Sequence, residues 1–185
     1  MKTIFTLAFL LLITSCIPIR VAPKIEHQKI MVGKKFRRTL PKAYVFIFED
    51  PKDANEFYDY INTKFQLNNF DVDYDVPIQL NGKPYYMSFY EAEIPTKTLN
   101  LAPIVVDAAL AVNQLDPLLI DHHMSRVGTW YVAISILDKE SNNCLEPNYK
   151  DRTIVIDYLK CLKNEYLTTH NYIEILFKKK SIEDY

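Results

Sequence analysis

Glycine is scarce in this chain, with three residues among 185. Loops that cradle phosphate groups need several glycines, because glycine lets the backbone approach a ligand closely and adopt positive φ. The sequence also contains no Walker loop, no Gly-x-Ser-x-Gly elbow and no His-Glu-x-x-His pair. Phosphate-loop NTPases, elbow-type serine hydrolases and zincin metalloproteases are therefore excluded.

Large aromatic side chains are abundant by contrast, with 13 Tyr and 10 Phe. Hydrophobic residues make up 49% of the chain and charged residues 24%, which is typical of globular proteins. The length fits one domain, or at most a domain with a small appendage, and is enough to bury a core of ordinary size. We expect most of the aromatic rings to pack in that core.

Residues 1–15 have the three parts of a secretory signal peptide. Lys2 supplies positive charge, Ile4–Ile13 is an apolar core broken only by Thr6, and two small polar residues follow. The apolar core is shorter than the ~20 residues that a membrane-spanning helix needs. We therefore expect residues 1–15 to be removed from the mature protein.

The end of this leader, Ile13-Thr14-Ser15-Cys16, resembles the lipobox of bacterial lipoproteins. The resemblance implies that Cys16 becomes the first residue of the mature chain and carries diacylglycerol on its thiol, usually with a third acyl chain on its amino group. Two or more acyl chains hold a protein stably on a membrane. The residues after Cys16 lack the acidic cluster that resembles a surface-export signal. We expect a lipid-anchored protein of the bacterial cell envelope, on the outer membrane and facing the periplasm.

Positive charge is concentrated directly after Cys16. Residues 17–42 hold eight Lys or Arg against one acid, whereas residues 43–100 hold four Lys against ten acids. Such a basic segment suits anionic lipid headgroups, and a solvated linker is the alternative. We assign residues 16–42 to a lipidated cysteine with a basic tether and residues 43–185 to the globular domain. An exported tether rarely meets nucleic acid, so we expect no nucleic-acid partner.

Two stretches of the chain have the pattern strand, helix, strand. The first is "AYVFIFED", "PKDANEFYDYINTKFQ" and "FDVDYDV", and the second is "TWYVAISIL", "YKDRTIVIDYLKCLKNEYLTTH" and "YIEILFKKK". Between them, "PYYMSFYEAEI" is predicted as a strand that follows a hairpin turn at Asn81-Gly82, and Pro103 is predicted to begin another helix. We predict an α+β (mixed α/β) fold: a single domain with a mixed sheet of about five strands, two or three packed helices and two βαβ-like units.

Two cysteines remain once Cys16 is acylated. We predict a disulfide between Cys144 and Cys161, because paired cysteines in an oxidising compartment tend to bridge. Its loop of roughly 17 residues would stabilise the fold by about 3 kcal/mol. The alternative is that Cys161 is a small buried apolar residue and Cys144 a free thiol.

The densest group of reactive side chains is in "LLIDHHMSRVG", where Asp121, His122 and His123 follow an apolar run. This segment locally resembles the motif of the DHH family of phosphoesterases, which implies divalent metal binding and phosphodiester hydrolysis. The family also needs an upstream aspartate-rich motif, for which the nearest match is Asp71, Asp73 and Asp75. We expect these three to share one face of a strand. The family's longer chain and glycine-rich part are absent, so we predict no metal and no cofactor, with the "DHH" residues as weak metal candidates.

A candidate binding surface lies on the tyrosine-rich strand. Alternate residues of a strand face opposite ways, so one row packs in the core and the other stays free. We select Tyr86 and Tyr90 with the acidic neighbours Glu91 and Glu93, because tyrosine presents an apolar body and a polar tip to a sugar or a peptide.

The pattern of motifs favours binding over catalysis. We predict a membrane-anchored envelope lipoprotein that is not an enzyme and acts as an accessory or binding module of a cell-envelope assembly. Its partners would be membrane lipid, through acylated Cys16, and an envelope protein. One alternative is an immunity or inhibitor lipoprotein whose acidic half mimics an anionic substrate, and another is a metal-dependent phosphoesterase-like hydrolase. The ligand and the oligomeric state stay open at this point.

Overall fold

The computed structural model describes residues 16–53, 55–100 and 124–174. The elements in these ranges are β1 (Cys16–Arg20), β2 (Lys29–Val32), α1 (Gly33–Phe36), β3 (Tyr44–Asp50), α2 (Glu56–Phe65), β4 (Val76–Leu80), β5 (Lys83–Asn100), β6 (Met124–Leu137) and α3 (Arg152–Thr168). The strands form one hydrogen-bonded sheet, so the predicted α+β class is confirmed. Among the described helices, none has the length and apolar character needed to cross a membrane.

The chain divides into two compact units. The larger comprises Lys24–Ala92 and Trp130–Tyr185, and the smaller comprises Met1–Pro23 and Glu93–Thr129. In the larger unit, hydrogen-bonded strands follow the order β5-β6-β3-β2, and β4 also pairs with β5. In the smaller unit, β1 pairs antiparallel with the end of β5.

The core of the larger unit lies between the sheet and helices α2 and α3. Apolar residues at helical spacing line one side of α3, and Val155, Leu159 and Tyr166 there have no exposed surface. Phe57 of α2 packs edge to face against Tyr166 and against Phe89 of β5, with ring centroids 4.9 Å apart in both pairs. The aromatic surplus of the sequence is therefore used in part to fill this core.

Helix α2 begins later than its sequence pattern predicts. The pattern placed Pro51 near its first turn, but the helix starts at Glu56. Asn55, directly before it, has a left-handed backbone with φ of 71° and makes no side-chain capping bond. Acids in the first turn still complement the positive end of the helix dipole.

The hairpin between β4 and β5 is confirmed at the predicted turn. Asn81 and Gly82 have φ of 51° and 74°, and Leu80 pairs with Lys83 across the turn. Two consecutive residues with positive φ match the twist of the flanking strands, which is why Asn-Gly is favoured there. This turn sets the register of β5 and with it the residues that reach the candidate site.

The pairing of strands differs from the prediction of a mixed sheet. The registered pairs of β1 with β5, β2 with β3, β3 with β6 and β4 with β5 are antiparallel. Strand β3 lies between β2 and β6, whereas β4 pairs with β5, so α2 joins strands that are not neighbours. The order of elements matched a βαβ-like unit, but the order does not specify which strands pair. The helix predicted from Pro103 and most of the predicted final strand lie outside the described residues.

Residues 70–75 form turns instead of the predicted strand. Asp71 and Asp75 have positive φ of 45° and 52°, and the Tyr74 N–H donates to the Asp71 carbonyl at 3.3 Å. The three aspartates therefore do not share a strand face, as the sequence pattern predicted. Only Val76 of the predicted strand belongs to β4.

Much of the predicted basic tether belongs to the fold. Strand β2 pairs with β3 from Lys29 opposite Ile47 to Val32 opposite Tyr44, and Leu40 is only 4% exposed. The predicted boundary at residue 43 is therefore too late, because the larger unit already includes Lys24. The alternative of a solvated linker is therefore wrong from Lys29 onward, because the apolar residues between the charges hold this segment on the sheet.

Candidate functional site

The four residues selected on the tyrosine-rich strand, Tyr86, Tyr90, Glu91 and Glu93, do not form one surface. Tyr90 and Glu91 line a cleft in the larger unit. Tyr86 is 36% exposed and pairs with Pro77 of β4, outside that cleft. Glu93 is exposed and belongs to the smaller unit, where its side chain lies against Gly128. The structure thus keeps two of the four predicted residues in one site.

We call this site the Glu91 cleft, with a volume of about 320 Å³. Four parts of the chain form it: the segment after α1, the start of α2, the loop before β4, and β5. Its lining residues are Thr39, Leu40, Asn55, Tyr58, Asp73, Phe89, Tyr90 and Glu91. Concave sites with apolar walls and a few polar groups are typical of ligand-binding sites.

Backbone contacts fix residues 70–75, which we call the acidic loop, against β5. The Phe89 N–H donates to the Asp73 carbonyl at 3.0 Å, and the Asp75 N–H donates to Ser88 Oγ at 3.0 Å. Val72 is buried beneath the loop, with 1% of its surface exposed. Asp73 is thereby held at the edge of the cleft by main-chain geometry.

Glu91 is the electrostatically costly member of the cleft. Its Oε2 accepts a long hydrogen bond of 3.4 Å from the Asn55 N–H, while its buried Oε1 has no partner among the residues that the structure describes. Burial raises the pKa of Glu91, the Asn55 N–H opposes that rise, and the negative charges of Asp50 and Asp59 add to it. The ionised carboxylate is therefore poorly compensated.

Tyr90 is kept in its neutral form beside this carboxyl. Burial raises the pKa of the Tyr90 hydroxyl, a hydrogen bond with Ser135 opposes the rise, and Tyr74, Asp75 and Asp73 add to it. A neutral phenol both donates and accepts a hydrogen bond. The lining holds two carboxylates and no Lys or Arg, so it suits a ligand that brings hydrogen-bond donors and an apolar or aromatic surface.

Two other clefts in the larger unit contain charged groups that have partners within the fold. In one, of about 350 Å³, Lys83 Nζ lies 2.6 Å from Asp151, and Asp138 accepts hydrogen bonds from Asn142 and Tyr149. The other, of about 400 Å³, borders Lys52 and His170. Paired charges of this kind are typical of structural networks, so neither cleft has a group comparable to Glu91.

The cleft at Lys52 adjoins a buried network that the sequence did not predict. Lys52 Nζ donates to the carbonyls of Tyr166 and Thr169 at 2.7 and 2.6 Å, and it lies 4.3 Å from the centre of the Tyr166 ring. The Tyr166 hydroxyl donates to Asp50, at 2.8 Å from its nearer oxygen. These contacts satisfy carbonyls at the end of α3. The signal available in the sequence was "EDPKD", in which Asp50 ends the buried strand β3 and Lys52 follows two residues later.

Burial perturbs both charged members of this network. It raises the pKa of Asp50, against hydrogen bonds from the Lys52 N–H and Tyr166 and the charge of Lys52. It lowers the pKa of Lys52, which the negative charges of Glu56 and Asp50 partly restore. Because each group has several partners, the network serves mainly to hold α3 on the sheet.

The predicted disulfide is wrong, because both thiols are free. Cys144 is buried in the core, where burial raises its pKa to about 11. Cys161 is exposed on α3, on the side away from the buried row of that helix. Loop length and compartment favoured the bridge, but the helical position of Cys161 turns it to solvent.

The metal candidates fall into two groups. Asp121, His122 and His123 lie outside the described residues. Asp71, Asp73 and Asp75 lie on a turn-forming loop, and within the described ranges no three His, Cys, Asp or Glu side chains are arranged to hold a metal ion.

Comparisons of the chain with protein-family models, with curated proteins and with solved structures gave no match. The case for a function therefore depends on the Glu91 cleft and on the chemistry of the chain itself.

Proposed function

We propose that this protein is a membrane-anchored lipoprotein of the bacterial cell envelope that acts as a non-catalytic accessory or binding module. In this proposal Cys16 carries the acyl anchor on the periplasmic side of the outer membrane. The Glu91 cleft binds a group of a partner protein in a cell-envelope assembly.

The half-buried Glu91 carboxyl is the observation that supports this proposal. A buried carboxylate with an unpartnered oxygen costs free energy of folding, and the protein would gain stability from a neutral residue at this position. Groups with perturbed pKa in a cleft are concentrated at functional sites. A partner that donates hydrogen bonds to this carboxyl would compensate its burial.

Exposed aromatic residues on the loop that carries Asp73 favour a protein as the partner. Phe70 is 75% exposed and Tyr74 is 61% exposed, although both lie on the loop that is fixed to β5. Aromatic side chains held in water by a rigid backbone are typical of protein interfaces. The loop also carries acidic residues, which suit a partner with basic residues next to an apolar contact.

A paired substitution tests the binding site. The full-length protein would be isolated from the envelope with its associated proteins, as wild type, as Glu91→Gln and as Glu93→Gln. Glu93 lies two residues further along the same strand but is exposed and outside the cleft. We expect Glu91→Gln to lose a stoichiometric partner that wild type and Glu93→Gln retain, and loss in both variants or in neither would contradict the proposed site.

The anchor is tested separately at Cys16. We expect Cys16→Ala to move the protein from the membrane to the soluble fraction, because the thiol is the required acylation site. Membrane partitioning that does not change, with no lipid-sized mass on the mature amino terminus, would contradict the anchor while leaving the test of the cleft intact.

A further inference from the structure

Five basic residues form an exposed surface on the larger unit. They lie on α1 and the loop that follows it, and we call them the basic patch: Lys34, Lys35, Arg37, Arg38 and Lys42. Arg37 is half-buried and the other four are exposed. The segment from Gly33 to Ala43 contains no acid.

The patch is not neutralised within the part of the chain that the structure describes. The ion pairs seen there use Lys24, Lys64, Lys83 and Lys160. Like charges held close together repel one another and oppose folding. Five neighbouring cations without acidic partners therefore create a surface that favours a negatively charged partner.

The backbone beneath the patch holds it as a defined surface. The Gly33 N–H donates to the Ala43 carbonyl and the Lys34 N–H to the Pro41 carbonyl, both at 2.9 Å. Leu40 is buried, and the Phe36 ring packs edge to face on Tyr131 with centroids 5.1 Å apart. The cations therefore extend from a folded segment, which contradicts the alternative of a solvated linker for this part of residues 17–42.

We propose that the basic patch binds the anionic headgroups of the membrane that carries the protein. A membrane is the favoured occupant because the patch follows the predicted acylation site along the same chain, so tethering would keep the domain close to headgroups. The choice of a membrane as the partner rests on the proposed anchor. The unpaired charges are observed independently of the anchor and support a negatively charged partner. Each cation near an anionic surface contributes about fivefold to partitioning, and the attraction acts within a Debye length of about 10 Å.

The test uses the expected mature chain, residues 16–185, with Cys16→Ser, so that binding through the patch is measured without acyl chains and without the apolar leader. Co-sedimentation is compared for vesicles of phosphatidylcholine alone and for vesicles of phosphatidylglycerol and phosphatidylcholine in equal parts. The patch variant is Lys34→Gln with Lys35→Gln and Arg38→Gln. The control removes the same charge elsewhere on the larger unit, by Lys139→Gln with Lys150→Gln and Lys160→Gln.

We expect the parent protein to bind the anionic vesicles and not the neutral ones, with binding lost at high salt. The patch variant should bind at least about tenfold more weakly than the parent, from the contribution of three cations, while the control variant stays within about twofold of it. Equal loss in both variants would overturn the proposal, as would equal binding to neutral vesicles or tighter binding to duplex DNA. Thermal melts of both variants verify folding. Failure of the Cys16→Ala fractionation would contradict the anchor, whereas the vesicle measurement tests the patch without the anchor.

Discussion

Single residues differ in how well the fold compensates their charge. Burial disfavours the charged forms of Asp50 and Lys52, but each of these groups makes several hydrogen bonds within the network. Glu91 has one long bond and a buried oxygen without a described partner. Compensated charges stabilise a fold, whereas an uncompensated one is retained at a cost to stability. This contrast is why we assign binding to Glu91 and a structural role to Lys52.

The stability cost of Glu91 predicts a pH-dependent effect of Glu91→Gln. Because burial raises the pKa of Glu91, the folded protein holds this proton more tightly than the unfolded chain. The ionised carboxyl therefore lowers the free energy of unfolding at neutral pH, and its cost disappears below the ordinary pKa of 4.5, where both states are protonated. We expect Glu91→Gln to melt at a higher temperature than wild type at neutral pH and the two to converge in acid.

The melting temperatures are measured by thermal denaturation from neutral to acid pH, with unfolding followed by circular dichroism. Glu93→Gln is the matched control, and because Glu93 is exposed its substitution should leave the melting temperature unchanged at every pH. A Glu91→Gln variant that melts below wild type at neutral pH would show that the carboxyl stabilises the fold.

Lys52 is predicted to stabilise the end of α3. Lys52→Met keeps an apolar stem but removes the donor to two helix carbonyls, where each charge-assisted hydrogen bond contributes about 1.5–3 kcal/mol. We expect the free energy of unfolding in urea to fall by about 2 kcal/mol, because the carbonyls of Tyr166 and Thr169 lose a donor. Lys150→Met, at an exposed position, should change it by less than about 0.5 kcal/mol. If Lys52→Met were as stable as wild type in urea, the proposed capping role of Lys52 would be contradicted.

At the scale of elements, the sequence predicted what local chemistry determines. The Asn81-Gly82 turn, the buried strand β3 and the apolar row of α3 all follow from residue type and spacing, and the structure has them. The strand predicted at residues 70–76 failed because its alternation of polar and apolar residues is also compatible with a series of turns. Asp71 and Asp75 adopt left-handed backbones, which periodicity does not detect.

The hairpin turn supplies the prediction at this scale. Gly82 has φ of 74° and open space where a Cβ would lie, so the cost of a side chain there comes from backbone conformation and not from a clash. Gly82→Ala should lower the free energy of unfolding by about 1 kcal/mol. Asn81→Gly keeps the turn and should have a smaller effect. An alanine variant as stable as wild type in urea would contradict the required left-handed conformation.

At the scale of the whole molecule, the site could be predicted only in part. Tyr90 was selected from the row of the tyrosine-rich strand that was expected to stay free, and Glu91 as its acidic neighbour. Asn55, Tyr58 and Asp73 enter the cleft from distant parts of the chain, and no local pattern connects them with β5. The burial of Glu91 likewise depends on packing, so its raised pKa could not be derived from the sequence.

The larger unit combines two surfaces of opposite character. The basic patch is formed by residues of the segment after Cys16. The acidic loop and most of the Glu91 cleft are formed by the segment that contains α2 to β5. Thr39 lines the cleft directly after Arg38 of the patch. A domain with these neighbouring surfaces is suited to contact a membrane and a protein partner at the same time, which is the arrangement that the proposed accessory role requires.

Site-specific photo-crosslinking in cells tests the central claim most directly. A photoreactive phenylalanine analogue would replace Tyr74 beside the Glu91 cleft, or Ile154 on α3, which is exposed and apolar but distant in sequence. We predict one discrete crosslinked protein from position 74 and none from position 154, with the crosslink lost when Glu91→Gln is added and retained with Glu93→Gln. A crosslink at position 74 that persists in Glu91→Gln, or the same product from position 154, would contradict a partner bound at the Glu91 cleft.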